Sequence, residues 1–369
     1  MFFGRLAVRF FLLFLIIGNC AWGQYGVKDG NWPHYGGDFG STKYSALDQI
    51  NAENFNELEV LWRWESPDKA LLEAISRPPS HMVATPLVVD GRAFVSTSLS
   101  QVASIDVETG KTLWVYDPKS YLRGGPVHGR YQHRGVEYWT DGEEERIVIA
   151  TNGRQLVSID AKTGKPDPAF GDGGWVDLLN DLGRKIPASG ISHNAPTAVV
   201  NDTIIVGSII NDGPLLQKGL PGHIRAYDVR TGEFKWRFHT VPKEGEFGIE
   251  TWENESWKRA GNTNCWTMMS FDEELGYVYL PIGAATSDYY GGHRHGDNLF
   301  SQSVVCLNVE TGERVWHYQM IHHDLWDYDL PAAPVLMDIV VDGKPIKALA
   351  QISKQAFTYV LDRATGEPI

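Results

Sequence analysis

Cysteine is scarce in this 369-residue chain, which has 3. No Cys-x-x-Cys-His occurs, so the chain carries no c-type haem attachment site. Cations are also short: 33 Lys and Arg stand against 46 Asp and Glu, a formal charge of -13. Nucleic-acid binding needs clustered Lys and Arg, so this balance argues against such a partner. Beyond the N-terminus no apolar run reaches the roughly 20 residues that a membrane-spanning helix needs. Long helices are disfavoured too, because 38 Gly and 19 Pro imply frequent turns. What is present can fill a core: 43% of residues are hydrophobic and 12% aromatic. The sum points to an all-β protein, too long for one small core.

The N-terminal MFFGRLAVRFFLLFLIIGNCAWGQ has Arg5 and Arg9, an apolar run over 10–17 and then small residues. That is the layout of a secretory signal peptide over 1–23, cut before Gln24. The mature chain, from residue 24, is then expected in the periplasm, in solution or associated with the membrane. Asn19 is a poor fit to the small residue that lipidation of Cys20 would prefer. Two thiols remain, Cys265 and Cys306; unpaired buried thiols are the plainer reading, since a disulfide needs a Cα separation that sequence does not supply.

One kernel recurs: SIDVETGKTLW at 104–114, SIDAKTGKPDP at 158–168, AYDVRTGEFKW at 226–236, CLNVETGERVW at 306–316 and VLDRATGEPI at 360–369. Self-similarity of this kind signals stacked units. Within each kernel the Asp or Asn caps a turn and the Gly supplies a positive φ. Upstream of each lies a β-rich run such as ATPLVVDGRAFVST or TAVVNDTIIVGS, whose alternation and Asp-Gly or Asn-Asp breaks read as hairpins. Each unit is therefore about four antiparallel strands, a propeller blade, with Trp114, Trp236 and Trp316 as plates between blades. The fifth kernel stops after Thr365-Gly366, which predicts about five blades here and further blades encoded elsewhere.

With these turns and WDYDLP in hand, the chain resembles the pyrroloquinoline quinone (PQQ) dependent dehydrogenases. That resemblance implies an eight-bladed quinoprotein-type β-propeller, incomplete here, filling 24–369 and truncated at its C-terminal end. Among their branches it is most similar to the membrane glucose dehydrogenases. Three stretches carry this: WPHYGGDFGSTKYSALDQINAENFNELEVLWRW, LPIGAATSDYYGG and WHYQMIHHDLWDYDLPAAP. The resemblance makes Asp327 the catalytic base and a metal ligand, Trp266 the floor under the quinone and Lys354 the cation at the quinone oxygens. It places Arg134 on a quinone carboxylate, His133 on the cofactor, and Asn211 and Asp212 near the metal with their order reversed. Asp329 matches the extra ligand of lanthanide-using members; the glucose branch can share that spacing, so Ca²⁺ is the expected ion and a lanthanide the less favoured one. Departures steer away from methanol oxidation: Ala284-Ala285-Thr286 follows Gly283 where alcohol branches have a ligand Asn, and Tyr131-Gln132-His133 stands where they have adjacent cysteines.

These residue types suit the chemistry. Alcohol oxidation by hydride transfer needs a base for the hydroxyl proton, and a carboxylate beside a divalent cation can supply it. The expected substrate is a small alcohol, polyol or sugar, and the expected electron acceptor a separate ubiquinone or cytochrome c. A non-catalytic propeller scaffold and an inactive truncated family member are the alternatives. A scaffold would have no reason to aim Asp327, Trp266 and Lys354 at one axial cavity. The run His322-His323-Asp324 resembles a zinc cluster, but adjacent residues of an extended strand face opposite ways, so no such site is expected.

Overall fold

The computed structural model describes residues 26–369 apart from 28, 74, 76–78, 80, 214, 215 and 217. The signal-peptide assignment falls outside the described residues. The hairpin runs fold as read. Four sheets of four strands each are antiparallel meanders, taken in chain order as blades 1 to 4. Blade 1 is Leu87–Val89, Arg92–Ser96, Val102–Asp106 and Thr112–Tyr116. Blade 2 runs from Glu137–Thr140 to Trp175–Asp177, blade 3 from Ala198–Val200 to Phe234–Phe238, and blade 4 from Ser270–Asp272 to Arg314–Gln319. Blade 5 has three strands, Val335–Val341, Lys344–Ile352 and Thr358–Asp362. Within blade 3 the chain detours: Ile209–Ile210 pairs with Ile191–Ser192 in a separate ribbon whose flanks reach the central cavity. No helix among the described residues is long and apolar enough to cross a membrane.

Sheets stack because both faces of each strand are apolar, and burial at roughly 25 cal/mol per Å² drives them together. One buried cluster joins blades 1 and 2 through Phe94, Ile147 and Val157. A second joins blades 2 and 3 through Val148, Val199 and Tyr227. Blades 3 and 4 share Ile205, Val278 and Val305, and blades 4 and 5 share Tyr279, Leu349 and Leu361. Cys265 and Cys306 are free buried thiols.

The turn kernel explains how neighbouring blades keep register. In the first, Asp106 Oδ1 accepts from Thr109 N at 2.8 Å and from Thr109 Oγ1 at 2.7 Å. Gly110 closes the turn at φ +70. The tryptophans lie across the next blade's turn glycine rather than their own. A Cβ on Gly164 would stand 2.5 Å from the Trp114 ring; on Gly312, 2.5 Å from Trp236; on Gly366, 2.7 Å from Trp316. Each indole also donates Nε1–H across the gap: Trp114 to Ala161 O at 3.2 Å, Trp236 to Val309 O at 2.8 Å and Trp316 to Arg363 O at 3.1 Å. Trp62, upstream of blade 1, does the same to Gly110 and to Val107 O. Where the second kernel has Pro168 in place of Trp, Val176 and Phe170 cover Gly232.

The segment around Trp32 to Ser41 straps several blades at one end. Trp32 exchanges backbone hydrogen bonds with Val88, Phe39 O accepts from Phe271 N, and Gly40 O accepts from Leu336 N. His34 pairs with the buried Glu137 of blade 2.

Gly164→Ala and Gly91→Ala separate conformational strain from interblade contact. Both glycines have φ above +70, but nothing lies within 4 Å of a Cβ on Gly91. Urea unfolding should show a loss of about 1 kcal/mol for Gly91→Ala and about 3 kcal/mol or more for Gly164→Ala, which displaces an indole. Equal losses would show that the tryptophan contact does not hold the blades.

Candidate active site

The stretch IHHDLWDYDLP forms the loop between blades 4 and 5, and Asp324 organises it. Its buried carboxylate accepts from Gln302 Nε2 at 2.9 Å, Trp326 N at 3.1 Å and Tyr328 N at 3.2 Å. Trp326 is 69% exposed and Leu330 fully buried, so the loop is anchored at its end. His322 is exposed and His323 Nδ1 sits 2.9 Å from Gly296 O.

Asp327 sits at φ +56, a left-handed conformation that Asp tolerates better than most residues. From there Asp327 Oδ2 lies 3.0 Å from Lys354 Nζ, which also donates to Asp329 Oδ2 at 3.1 Å. Lys354 occupies the turn after the second strand of blade 5, not a solvent-facing strand position. Asp329, 8% exposed, accepts three times: from Lys354, from Trp266 Nε1 at 3.1 Å and from Ala284 N at 2.8 Å. Both its oxygens are therefore engaged by protein donors. The expected extra ligand serves here as the post that fixes the indole and the ammonium.

Arg134 carries its guanidinium over the Trp266 ring, 5.3 Å from the centroid, and donates to Asn194 Oδ1. Glu137 pairs with His34 instead of Arg134. Trp266, Arg134, Asp327, Asp329 and Asp212 all line one cavity of about 270 Å³. Asp212 accepts from Asn262 Nδ2 at 2.6 Å and lies 3.5 Å from His128 Nε2.

Two expected contacts are corrected by placement. His133 is 1% exposed and lies in the core, its ring nitrogens facing Ser96 Oγ at 3.1 Å and Ala150 O at 3.0 Å. Burial drives its pKa down to about 4, so it is a neutral core group. Asn211 is exposed and does not line the cavity, while its backbone N–H bonds Gly190 O. In each pair, His133-Arg134 and Asn211-Asp212, successive side chains of an extended segment point opposite ways, and only one reaches the cavity.

Sequence reasoning passed over Asn262, Asn264, Asp288 and His128, which also line it. Asn262 and Thr263 both have positive φ, and Asn-rich GNTNCW reads as a turn before it reads as chemistry. Asp288 sits inside a stretch that supported the resemblance without a role of its own.

The cavity concentrates negative charge. Burial, with the charges of Asp212, Asp327 and Asp329, pushes Asp288 up to about 7. Burial and Asp329 push Asp327 up to about 6 against the pull of Lys354. Burial likewise raises Asp212. Asn262 Oδ1 and Asp288 Oδ1 are buried without a hydrogen-bond partner. No group of three His, Cys, Asp or Glu among the described residues already forms a metal shell. Crowded carboxylates and orphaned oxygens nevertheless fit a hard cation, whose charge would relieve the repulsion.

Fold and site together define a quinoprotein-type β-propeller with a tryptophan-walled, carboxylate-rich cavity. The family model for the PQQ glucose/ethanol/alcohol dehydrogenase β-propeller domain matches residues 32–369, and the chain belongs to that family. It is 34% identical over 354 residues to quinohemoprotein alcohol dehydrogenase ADH-IIG of Pseudomonas putida, covering 92% of this chain and 45% of the relative. It is 30% identical to quinoprotein glucose dehydrogenase A of Acinetobacter calcoaceticus, covering 93% of this chain and 44% of the relative. The crystal structure of quinohemoprotein alcohol dehydrogenase from Comamonas testosteroni superposes with a TM-score of 0.76 at 31% identity, over 92% of this chain and 48% of that one. The chain thus spans about half the length of the relatives it matches.

Asp329→Ala leaves the Trp266 and Ala284 N–H groups without their acceptor. Chemical denaturation should show a loss of about 2–5 kcal/mol, smaller for Asp329→Asn, which keeps an acceptor oxygen. A neutral Asp329→Ala would contradict this anchoring role.

Proposed function

We propose that the protein is a periplasmic PQQ-dependent dehydrogenase that oxidises a sugar, polyol or other alcohol and passes the electrons to a separate ubiquinone or cytochrome c. The observation that carries this reading is the convergence of Asp327, Trp266 and Arg134 from separate elements on one cavity, with Lys354 bonded to two of its carboxylates, Asp327 and Asp329. A scaffold gains nothing from a half-buried carboxylate, a lysine and an arginine-covered indole in its axis. Membership of the family, with alcohol and glucose dehydrogenases among the relatives, supports the same reaction class.

The residues divide the work as follows. Trp266, fixed by Asp329, offers a flat wall for a planar cofactor, and Arg134 offers a guanidinium to a cofactor carboxylate. Bound there, PQQ would supply the acceptor for hydride. Asp212, Asp288, Asp327 and the Asn262 amide oxygen would hold Ca²⁺, which would polarise a carbonyl oxygen. Asp327 takes the hydroxyl proton of the substrate, as a half-buried carboxylate facing the cavity can. Lys354, held in place by Asp327 and Asp329, stabilises negative charge that grows on the cofactor oxygens.

Protein loaded with PQQ and Ca²⁺ should reduce an artificial dye with one or more of a panel of sugars and alcohols. Asp327→Asn should lower turnover by about 100-fold or more, the range of a general base, while retaining cofactor binding. No turnover with any substrate, or unchanged turnover in Asp327→Asn, would sink the reading.

Removing the metal gives a check that needs no turnover. Ca²⁺ should raise the melting temperature of the untreated-with-PQQ protein, EDTA should reverse the rise, and Asp212→Asn should shrink it. A melting temperature indifferent to Ca²⁺ would argue against the ligand set.

A further inference from the structure

A second cavity, of about 250 Å³, lies behind one wall of the first: Gly261 lines it, and the next residue, Asn262, lines the central cavity. It gathers Arg184, Arg237 and Lys243 with His223 and His239, in a chain whose formal charge is -13. Among the described residues none of these three cations forms an ion pair. The nearby carboxylate, Glu246, is engaged by other groups than these three side chains. Its Oε1 lies 2.6 Å from His239 Nδ1, and its Oε2 accepts the backbone N–H of Lys243 at 2.7 Å.

The cations are positioned rather than loose. Arg237 donates Nη1–H to Asp181 O at 2.9 Å and Nε–H to His239 Nε2 at 3.1 Å, leaving Nη2 without a partner among the described residues. Arg184 donates Nη2–H to Gly219 O at 2.7 Å. His223 is 4% exposed, and its Nδ1 has no hydrogen-bond partner. Burial and the surrounding cations hold this imidazole neutral, able to present one N–H donor. Burial, Arg184 and Arg237 lower the pKa of Lys243 as well, against the opposing charge of Glu246. Like charges are thus kept together beside a buried imidazole whose Nδ1 has no partner, while Glu246 pairs with His239.

We propose that this cavity binds a small divalent oxyanion of the phosphate or sulfate kind, held by Arg184, Arg237 and Lys243 with His223 as the buried donor. Guanidinium forks and an ammonium suit such an ion through charge-assisted hydrogen bonds. The site is separate from the one assigned to the cofactor.

The test is calorimetric titration of the whole chain with sodium sulfate at low ionic strength, with sodium phosphate as a second arm. One saturable site is expected, weakened about tenfold or more in Arg237→Gln and in Lys243→Gln, the usual cost of one charge-assisted contact. Arg134→Gln, which removes the cation of the central cavity, should leave it unchanged. Circular dichroism confirms that each variant is folded, and Lys243→Gln, on a loop, keeps the test open if Arg237→Gln does not fold. Absence of saturable binding, or binding that vanishes with Arg134→Gln and survives Lys243→Gln, would overturn the proposal.

Discussion

The candidate site depends on one buried carboxylate. Asp329 ties together three parts of the chain: the indole of Trp266, the backbone of Ala284 and the ammonium of Lys354. A carboxylate this enclosed is stable only when its charge is met by donors. Three donors meet it, and two of them are groups with proposed roles in the chemistry. Burial, and after it the same charge, raises the affinity of Asp327 for a proton. One residue thus fixes where the Trp266 wall stands and adds to the proton affinity of its neighbour.

The propeller makes this arrangement possible by delivering side chains from separate blades to a common axis. Its register comes from a short-range device repeated between blades: a turn glycine that must lack a Cβ and a tryptophan from the preceding blade that fills the space. The contact fixes two sheets against each other at their outer turns, while buried aliphatic clusters fill the space between them. The strap through Trp32, Phe39 and Gly40 adds backbone bonds to blades far apart in sequence. A site built from segments at blades 2 to 5 inherits its precision from these contacts.

Much of this was legible in the sequence. The Asp-x-x-Thr-Gly kernels marked the blades because turn chemistry is local, and the hairpin alternation marked the strands. The tryptophans were readable as plates but not as partners of the next blade's glycine, since that pairing joins residues dozens of positions apart. Within the site, Asp327, Trp266 and Arg134 line one cavity, and Lys354 bonds to Asp327 and Asp329. His133 and Asn211 do not, because neighbouring positions in an extended chain face opposite sides and motif matching does not tell which side faces the axis. Asn262, Asp288 and His128 went unseen for the converse reason: they sit in turns whose composition advertises conformation, and only the folded chain aims them at the cavity.

The central claim is that these convergent residues form a pocket for a planar quinone against Trp266. Calorimetric titration of the Ca²⁺-loaded protein with PQQ tests it most directly. The account predicts one site, weakened about tenfold or more in Trp266→Ala through loss of the stacking surface. Equal affinity in the two proteins, or no saturable binding to either, would contradict it.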